Sequence, residues 1–289
     1  VVEAPVVVIT GANGFIGGHL VRHFDEAGWT VRALVHRLPG LQRPRVEYRM
    51  WQLGDPLGTA LDSVDGLIHA ASVPYDRPDA SPTNVEASAQ LLAESREAGV
   101  GRVIFLSSMS ARPGAVSQYG RDKLLIARQF DRPTELVVRP GLVLGDGGLF
   151  DRLRRFVERR RVVPLVGGGR QLFQTVFVDD LTSAITVALE DGLHGSITIA
   201  EREPVEFREL LAEMARQSGS RVRFIPVPYR PVAWTMRVAG AVGLRLPVSS
   251  DNLLGLRALV TEDVNADLER LGIEIRDYRA TLRAIFAGG

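Results

Sequence analysis

Tyr119 and Lys123, four positions apart, are the residues of this chain best suited by type and spacing to move a proton. On a helix such a pair shares a face, so the two side-chain tips converge on one ligand. A free phenol, with a pKa of about 10, is a poor base at neutral pH. A neighbouring ammonium stabilises the phenolate and lowers that value, so Tyr119 is expected to exchange a proton with a substrate hydroxyl or carbonyl. Upstream, the apolar run from Arg102 to Leu106 ends in Ser107 and Ser108, with Ser110 beyond, and each of these hydroxyls is a candidate to hold the same substrate oxygen. Cysteine is absent, which removes disulfides, thiolate metal sites and a cysteine nucleophile, and no metal centre is expected.

A second constellation lies near the start. Thr10-Gly11-Ala12-Asn13-Gly14-Phe15-Ile16-Gly17 follows the β-branched run Val6-Val7-Val8-Ile9, and apolar residues then recur at helical spacing through Leu20, Val21 and Phe24. Gly11 permits the tight turn, Gly14 lets the backbone approach a pyrophosphate, and Gly17 lets the helix pack closely on the strand. The helix N-terminus adds unpaired N–H groups and the positive end of its dipole. A strand, three spaced glycines and a helix together point to a bound dinucleotide, with Asn13, Phe15 and Ile16 among its contacts. Lys123 then has two tasks, tuning Tyr119 and touching the nicotinamide ribose. The second strand ends Leu34-Val35-His36-Arg37 with no carboxylate to receive ribose hydroxyls. Arg37, aided by His36 and Arg32, suits a 2′-phosphate, so NADP is expected, with NAD as the alternative.

These residues need a scaffold. Strand patterns at Thr30 to Val35, Gly66 to Ala70, Arg102 to Leu106 and Glu135 to Arg139 alternate with helical patterns at Asn84 to Ala98 and Tyr119 to Phe130. That rhythm predicts an α/β fold, a doubly wound parallel sheet of the Rossmann type. Residues 1–144 are expected to form the dinucleotide-binding domain. The segment 172–200, with strand-like Gln174 to Val178 and Ser196 to Ala200, returns to it. Residues 145–171 and 201–289 form a smaller, mostly helical substrate lobe. It opens with an arginine-rich helix from Phe150 to Arg161, read as a solvated face, and includes a markedly apolar helical run from Val232 to Val242.

In 289 residues, 45% hydrophobic and 24% charged, the formal net charge is only +1, so no global field recruits nucleic acid. No apolar stretch is long enough to span a bilayer, and the opening residues, Val1-Val2-Glu3-Ala4-Pro5, lead to the expectation of no basic, cleavable leader. A soluble, cytoplasmic protein is expected, with a homodimer as one possible state.

In Thr10 to Gly17, Ile68-His69-Ala70-Ala71, Asn84, Leu106-Ser107-Ser108, Tyr119 to Lys123, Arg139-Pro140-Gly141 and Val178-Asp179-Asp180, the chain resembles the short-chain dehydrogenase/reductase superfamily, in its extended or atypical branch. The resemblance implies Ser108, Tyr119 and Lys123 as the catalytic set. It also places Ala70, Ala71, Ser107, Pro140, Leu142 and Val143 beside the cofactor, with Gln52 and Leu53 where many relatives carry an Asp-Leu pair at the adenine. His69 is expected to be a satisfied structural or cofactor-adjacent residue. Nucleotide-sugar enzymes of this branch commonly set an arginine five residues before Val178 to grip the substrate diphosphate, and this chain has Phe173 there, with Arg170 as a nearby substitute. The expected activity is therefore an NAD(P)-dependent oxidoreductase acting on a carbonyl/alcohol pair in a small substrate. A nucleotide-sugar epimerase or dehydratase and a non-catalytic dinucleotide-binding protein are the alternatives.

Overall fold

The structure, a computed structural model, describes residues 4–75, 77–228 and 260–287. Seven strands form one sheet in which every pairing is parallel. They are β1 (Val6–Thr10), β2 (Thr30–Val35), β3 (Val46–Met50), β4 (Gly66–His69), β5 (Arg102–Leu106), β6 (Glu135–Pro140) and β11 (Gly195–Ile199). Across the sheet the order is β11, β6, β5, β4, β1, β2, β3. The winding reverses between β1 and β4, and α/β folds bind their ligands in the crevice outside the carboxyl ends of strands at such a switch point.

The β-branched sequence of β1 reflects its position, buried on both faces. Val7 and Ile9 pack into one core with α1 (Phe15–Glu26) and α5 (Val178–Glu190), while Val8 points into a second core beneath α2 (Ala80–Glu97) and α3 (Gln118–Ala127). Helix α1 is followed by Gly28, whose φ of 86° accepts the left-handed turn that ends it.

The expected strand over Gln174 to Val178 forms as β10 (Thr175–Phe177), but it pairs with β7 (Leu142–Leu144), outside the main sheet. Of the segment 172–200, only β11 adds to the large sheet, where it takes the place beside β6. A third core gathers Phe150 and Val157 of α4 (Gly148–Arg159), Val163 and Leu165 of β8 (Val162–Val166), Phe173 of β9 (Leu172–Phe173) and Val205 of β12 (Val205–Glu206). Leu210 and Met214 of α6 (Phe207–Gln217) and Leu282 and Ile285 of the final helix, α8 (Tyr278–Ala287), complete it. Strand β13 (Arg223–Val227) runs parallel to β8, so the region past Glu203 carries strand as well as helix. Helix α7 (Asn265–Leu271) instead packs near β11. The apolar run from Val232 to Val242 lies outside the described residues.

The segment before α7 is held by polar groups. Gln174 donates from Nε2 to the Glu262 carbonyl (2.9 Å) and accepts the Glu262 N–H (2.8 Å), while Arg139 pairs bidentately with the Glu262 carboxylate (2.8 and 2.5 Å).

Candidate active site

Directly after β1 the chain enters the glycine turn. Gly11 adopts φ 67°, and a Cβ there would meet the Ala71 backbone at 2.8 Å. A Cβ on Gly17 would run into the Gly11 carbonyl, so the turn and the first helical turn are in backbone contact. Helix α1 has Gly14 as its N-cap with no side-chain cap and no acidic residue in its first turn. The N–H groups of Phe15, Ile16 and Gly17 have no acceptor among the described residues. The Gly14 N–H is taken by the Gly11 carbonyl (2.8 Å), so three orphan donors remain at the helix start, and an anion satisfies them together with the dipole.

Across the switch point, Thr10 Oγ1 accepts from the N–H groups of Ala70 (3.2 Å) and Ala71 (3.1 Å), which fixes the chain leaving β4 against β1. His69 is fully buried, bonded through Nδ1 to Thr10 Oγ1 and through Nε2 to Ser88 Oγ, both at 2.9 Å. Burial, with the Lys123 charge nearby, pushes its pKa down to about 3, so it is a neutral structural histidine.

From the end of β5 come the serines. Ser107 is buried, and its hydroxyl has no partner among the described residues. Ser108 hydrogen-bonds to Tyr119, and its Oγ also accepts the Ser110 N–H at 3.1 Å. Helix α3 delivers the pair. Ser117 caps it by accepting the Gly120 N–H (3.1 Å), which sets Tyr119 and Lys123 on its inner face. Lys123 is buried, donates from Nζ to the Leu106 carbonyl at 2.7 Å and lies 4.6 Å from the centroid of the Phe105 ring. An ammonium carries three donors, so two remain without an acceptor among the described residues.

The electrostatics differ from the expected lowered phenol. Lys123 Nζ stands 6.0 Å from the Tyr119 ring centroid and gives its hydrogen bond to the backbone, so it does not engage the hydroxyl. Burial pushes the Tyr119 pKa above the ordinary phenol value, opposed only by the Ser108 hydrogen bond. Burial also brings Lys123 down to about 8. Tyr119 is thus a neutral O–H donor at physiological pH. Behind it, edge-on at 5.5 Å between centroids, stands Tyr75, whose own pKa is raised by burial and then by Asp122. Sequence reasoning passed over Tyr75, since it sits in a loop with no motif of its own.

A cavity of about 520 Å³ joins these groups. Gly11, Gly14, Phe15, Ile16, Gly17, Ala70, Ser107, Ser108, Tyr119, Lys123, Pro140, Leu142 and Val143 all line it, and so do Phe173, Gln174 and Arg152. Asn13, His36, Arg37, Gln52, Leu53 and Ala71 do not. Asn13 instead bridges the two strand ends by donating to the Arg37 carbonyl (3.1 Å), which leaves its buried Oδ1 without a partner. The His36 and Arg37 side chains are exposed beyond β2 and have no partner among the described residues. Arg32 points elsewhere, to Glu47 (3.3 Å) and the carbonyls of Ala60 and Asp62. Gln52 is exposed, with its N–H given to Asp55. Phe173 is buried against Phe207 at 5.1 Å between centroids, and Arg170 is exposed and does not line the cavity. The unclaimed helix N–H groups, the spare Lys123 donors, the orphan Ser107 hydroxyl and the glycine cradle together fit an extended, anionic dinucleotide.

The sequence model of the NAD dependent epimerase/dehydratase family matches residues 7–200. The chain belongs to this family. Membership bears out the resemblance to the extended short-chain dehydrogenases and makes the protein an enzyme of the oxidoreductase/epimerase type, in a family described as NAD dependent. Among curated relatives, an uncharacterized protein of Sinorhizobium fredii, y4nG, is 29% identical over 82% of this chain, which spans 66% of that protein's length. A ceramide reductase of Caulobacter vibrioides is 29% identical over 77% of this chain and 74% of its own. Among solved structures, MoeE5 in complex with UDP-glucose and NAD superposes with a TM-score of 0.74 at 24% identity, covering 97% of each chain, which supports the common fold. Among the described residues no helix is long and apolar enough to cross a membrane, and no group of side chains could hold a metal ion.

Proposed function

We propose that this family member is an NADPH-dependent reductase of a carbonyl group in a small substrate that is not nucleotide-linked, working through Ser108, Tyr119 and Lys123. The observation that carries the reading is the convergence of these three side chains on the cavity that also contains the glycine turn. A bound nicotinamide supplies the hydride. The Ser108 and Tyr119 hydroxyls donate to the substrate carbonyl oxygen, and Tyr119 releases its proton to that oxygen as the alcohol forms. A phenol held above its ordinary pKa suits this direction, because the donor is fully protonated at neutral pH. The spare N–H groups of Lys123 hold a ribose hydroxyl, and its charge favours the phenolate that remains on Tyr119.

Substrate class follows from the lining. Phe173 offers no charge where a diphosphate grip is expected, and Leu142, Leu149, Leu172 and Met109 give the cavity apolar walls. Two phosphate charges would meet only one uncommitted cation there, Arg152, whereas the apolar body of a carbonyl compound gains from burial. The lobe built from 145–171 and from residue 201 onward supplies the substrate side. A relative named for ceramide reduction is consistent with such a substrate.

For the cofactor, the exposed Arg37 and His36 at the end of β2, with no carboxylate beside them, favour the 2′-phosphate of NADP. Gln52 is the candidate for the adenine edge. Dissociation constants for NADPH and NADH measured on wild type and Arg37→Ala test this assignment. Wild type is expected to prefer NADPH by about tenfold or more, as one charge-assisted contact allows, and the variant to lose that preference. Equal affinities in the wild type would remove Arg37 from the cofactor site.

A further inference from the structure

The arginine-rich start of the lobe holds a residue that none of the assignments above uses. Helix α4 carries Arg152, Arg154, Arg155 and Arg159. Asp151 accepts Arg154 at 2.8 Å and Arg155 at 2.5 Å, and Asp146 adds a contact to Arg154 at 3.4 Å. Arg152, next to Asp151 in sequence, takes no part in this network. Its guanidinium has no hydrogen bond or ion pair among the described residues, and it lines the cavity together with Leu149 from the same helical turn.

The charge inventory of the lining is one-sided. Lys123 and Arg152 are its cations, and no aspartate or glutamate lines it. Lys123 is committed to the Leu106 carbonyl and to the reacting end of the site. The pyrophosphate of a dinucleotide has its own partners in the unclaimed N–H groups of Phe15, Ile16 and Gly17. That leaves Arg152, exposed on α4 where it lines the cavity beside Leu149, as a planar cation with five donors and no counter-charge among the described residues.

We infer that Arg152 is a substrate-binding residue that receives an anionic head group, a carboxylate in the simplest case, so that the substrate is an amphipathic oxo acid with an apolar body and one charged end. The inference rests on the proposed reductase reading for the ketone, and it adds the second functional group. A single carboxylate is matched in charge by a single guanidinium in fork geometry, whereas a diphosphate brings a second charge for which the lining holds no further uncommitted cation. The apolar walls accept the chain between carboxylate and ketone, so the same contacts that disfavour a sugar nucleotide favour this ligand.

Calorimetric titration of NADP-saturated protein with a series of aliphatic oxo acids, differing in the spacing of ketone and carboxylate, each beside its methyl ester, tests the assignment. Wild type, Arg152→Gln, Arg152→Lys and Arg155→Gln are compared. At the best spacing the acid is expected to bind about tenfold more tightly than its ester in wild type, the size of one charge-assisted contact. That advantage should vanish in Arg152→Gln, survive in part in Arg152→Lys and be intact in Arg155→Gln, whose residue lies on the same helix but outside the lining. An ester that binds as well as its acid in wild type, or an advantage that survives Arg152→Gln, overturns the inference. So does an Arg152→Gln protein that weakens NADP itself and leaves the acid preference intact, since the anion would then be the cofactor's. Turnover is read separately: an acid preference lost in Arg152→Gln with no reduction of any probe upholds the anion site and refutes the reductase reading.

Discussion

Lys123 shows how far residue types alone carry the chemistry and where they stop. Its spacing from Tyr119 was legible because a helix turns i and i+4 to one face, and the cavity does bring both together with Ser108. The direction of the Tyr119 shift was not legible. Four-residue spacing cannot say whether an ammonium reaches the phenol or the backbone, and here the Leu106 carbonyl takes it, so burial decides. Arg152 was equally hidden within its arginine run, since it is exposed like Arg155 and Arg159, and only the docking of α4, which brings it to the cavity and leaves it outside the Asp151 pairs, distinguishes it. The Lys123 pKa of about 8 carries a pH dependence of definite sign. Burial lowers the value, so the side chain is charged below that pH and loses its proton as pH rises through it. Affinity for NADPH should therefore be highest below about pH 8 and decline above it, by up to about tenfold per unit if the cofactor binds only the charged form. Lys123→Met should bind weakly and without that decline. A wild-type affinity that stays flat from about pH 7 to about pH 9.5, a span that brackets the lowered value and approaches that of a free lysine, would show that the ammonium does not contact the cofactor.

At the scale of elements, strands flanked by clear turn signals were legible to the residue, β2 and β5 among them: β5 reads as a continuous buried apolar run after Arg102, and β2 keeps its buried apolar positions around Arg32. Strand β3 was missed. Its sequence, Val46-Glu47-Tyr48-Arg49-Met50, lies at the sheet edge, half-exposed, with its polar residues bonded to one another and to neighbours rather than buried. Strands β8, β9, β12 and β13 were missed as well, since two- to five-residue pairings in a lobe are set by tertiary contacts that leave no period in the sequence. The glycine turn is the opposite case. Each of its glycines is read in advance from the turn it must make, and the geometry gives a sharp expectation for Gly17→Ala. The new Cβ meets the Gly11 carbonyl, which is backbone and cannot swing aside. Turn and helix must then separate, at a cost of about 1–3 kcal/mol in stability, as overpacking does elsewhere. The N–H groups of Phe15 to Gly17 move with them. Urea unfolding should show the loss, and calorimetry should show NADPH affinity reduced by more than the stability change alone explains. Unaltered affinity in this variant would mean that the dinucleotide lies elsewhere.

For the whole molecule, function depends on two bodies meeting at one cavity. The parallel sheet and its helices supply the switch point, the glycine turn and the proposed catalytic side chains, and the facing elements supply Phe173 of the third core and the exposed Arg152 of α4. The latch formed by Arg139, Gln174 and Glu262 ties the segment preceding α7 to β6 and to the cavity wall, so Val260, which lines the cavity, is carried on a fixed support. Two chemistries remain distinguishable on this architecture by what becomes of the hydride. A reductase transfers it to product and consumes one cofactor per turnover, whereas an epimerase or dehydratase returns it and consumes none. The decisive measurement supplies NADPH deuterated at the transferred position with an apolar oxo acid or ketone in one reaction, and oxidised NADP with a nucleotide sugar in another. Wild-type protein is expected to place deuterium on the carbinol carbon of the small substrate, with one NADP formed per alcohol. Tyr119→Phe should bind the cofactor normally and lose about 100-fold or more of the rate, the contribution of a general acid. Turnover of the nucleotide sugar without net reduction of NADP, or a fully active Tyr119→Phe protein, would contradict the account.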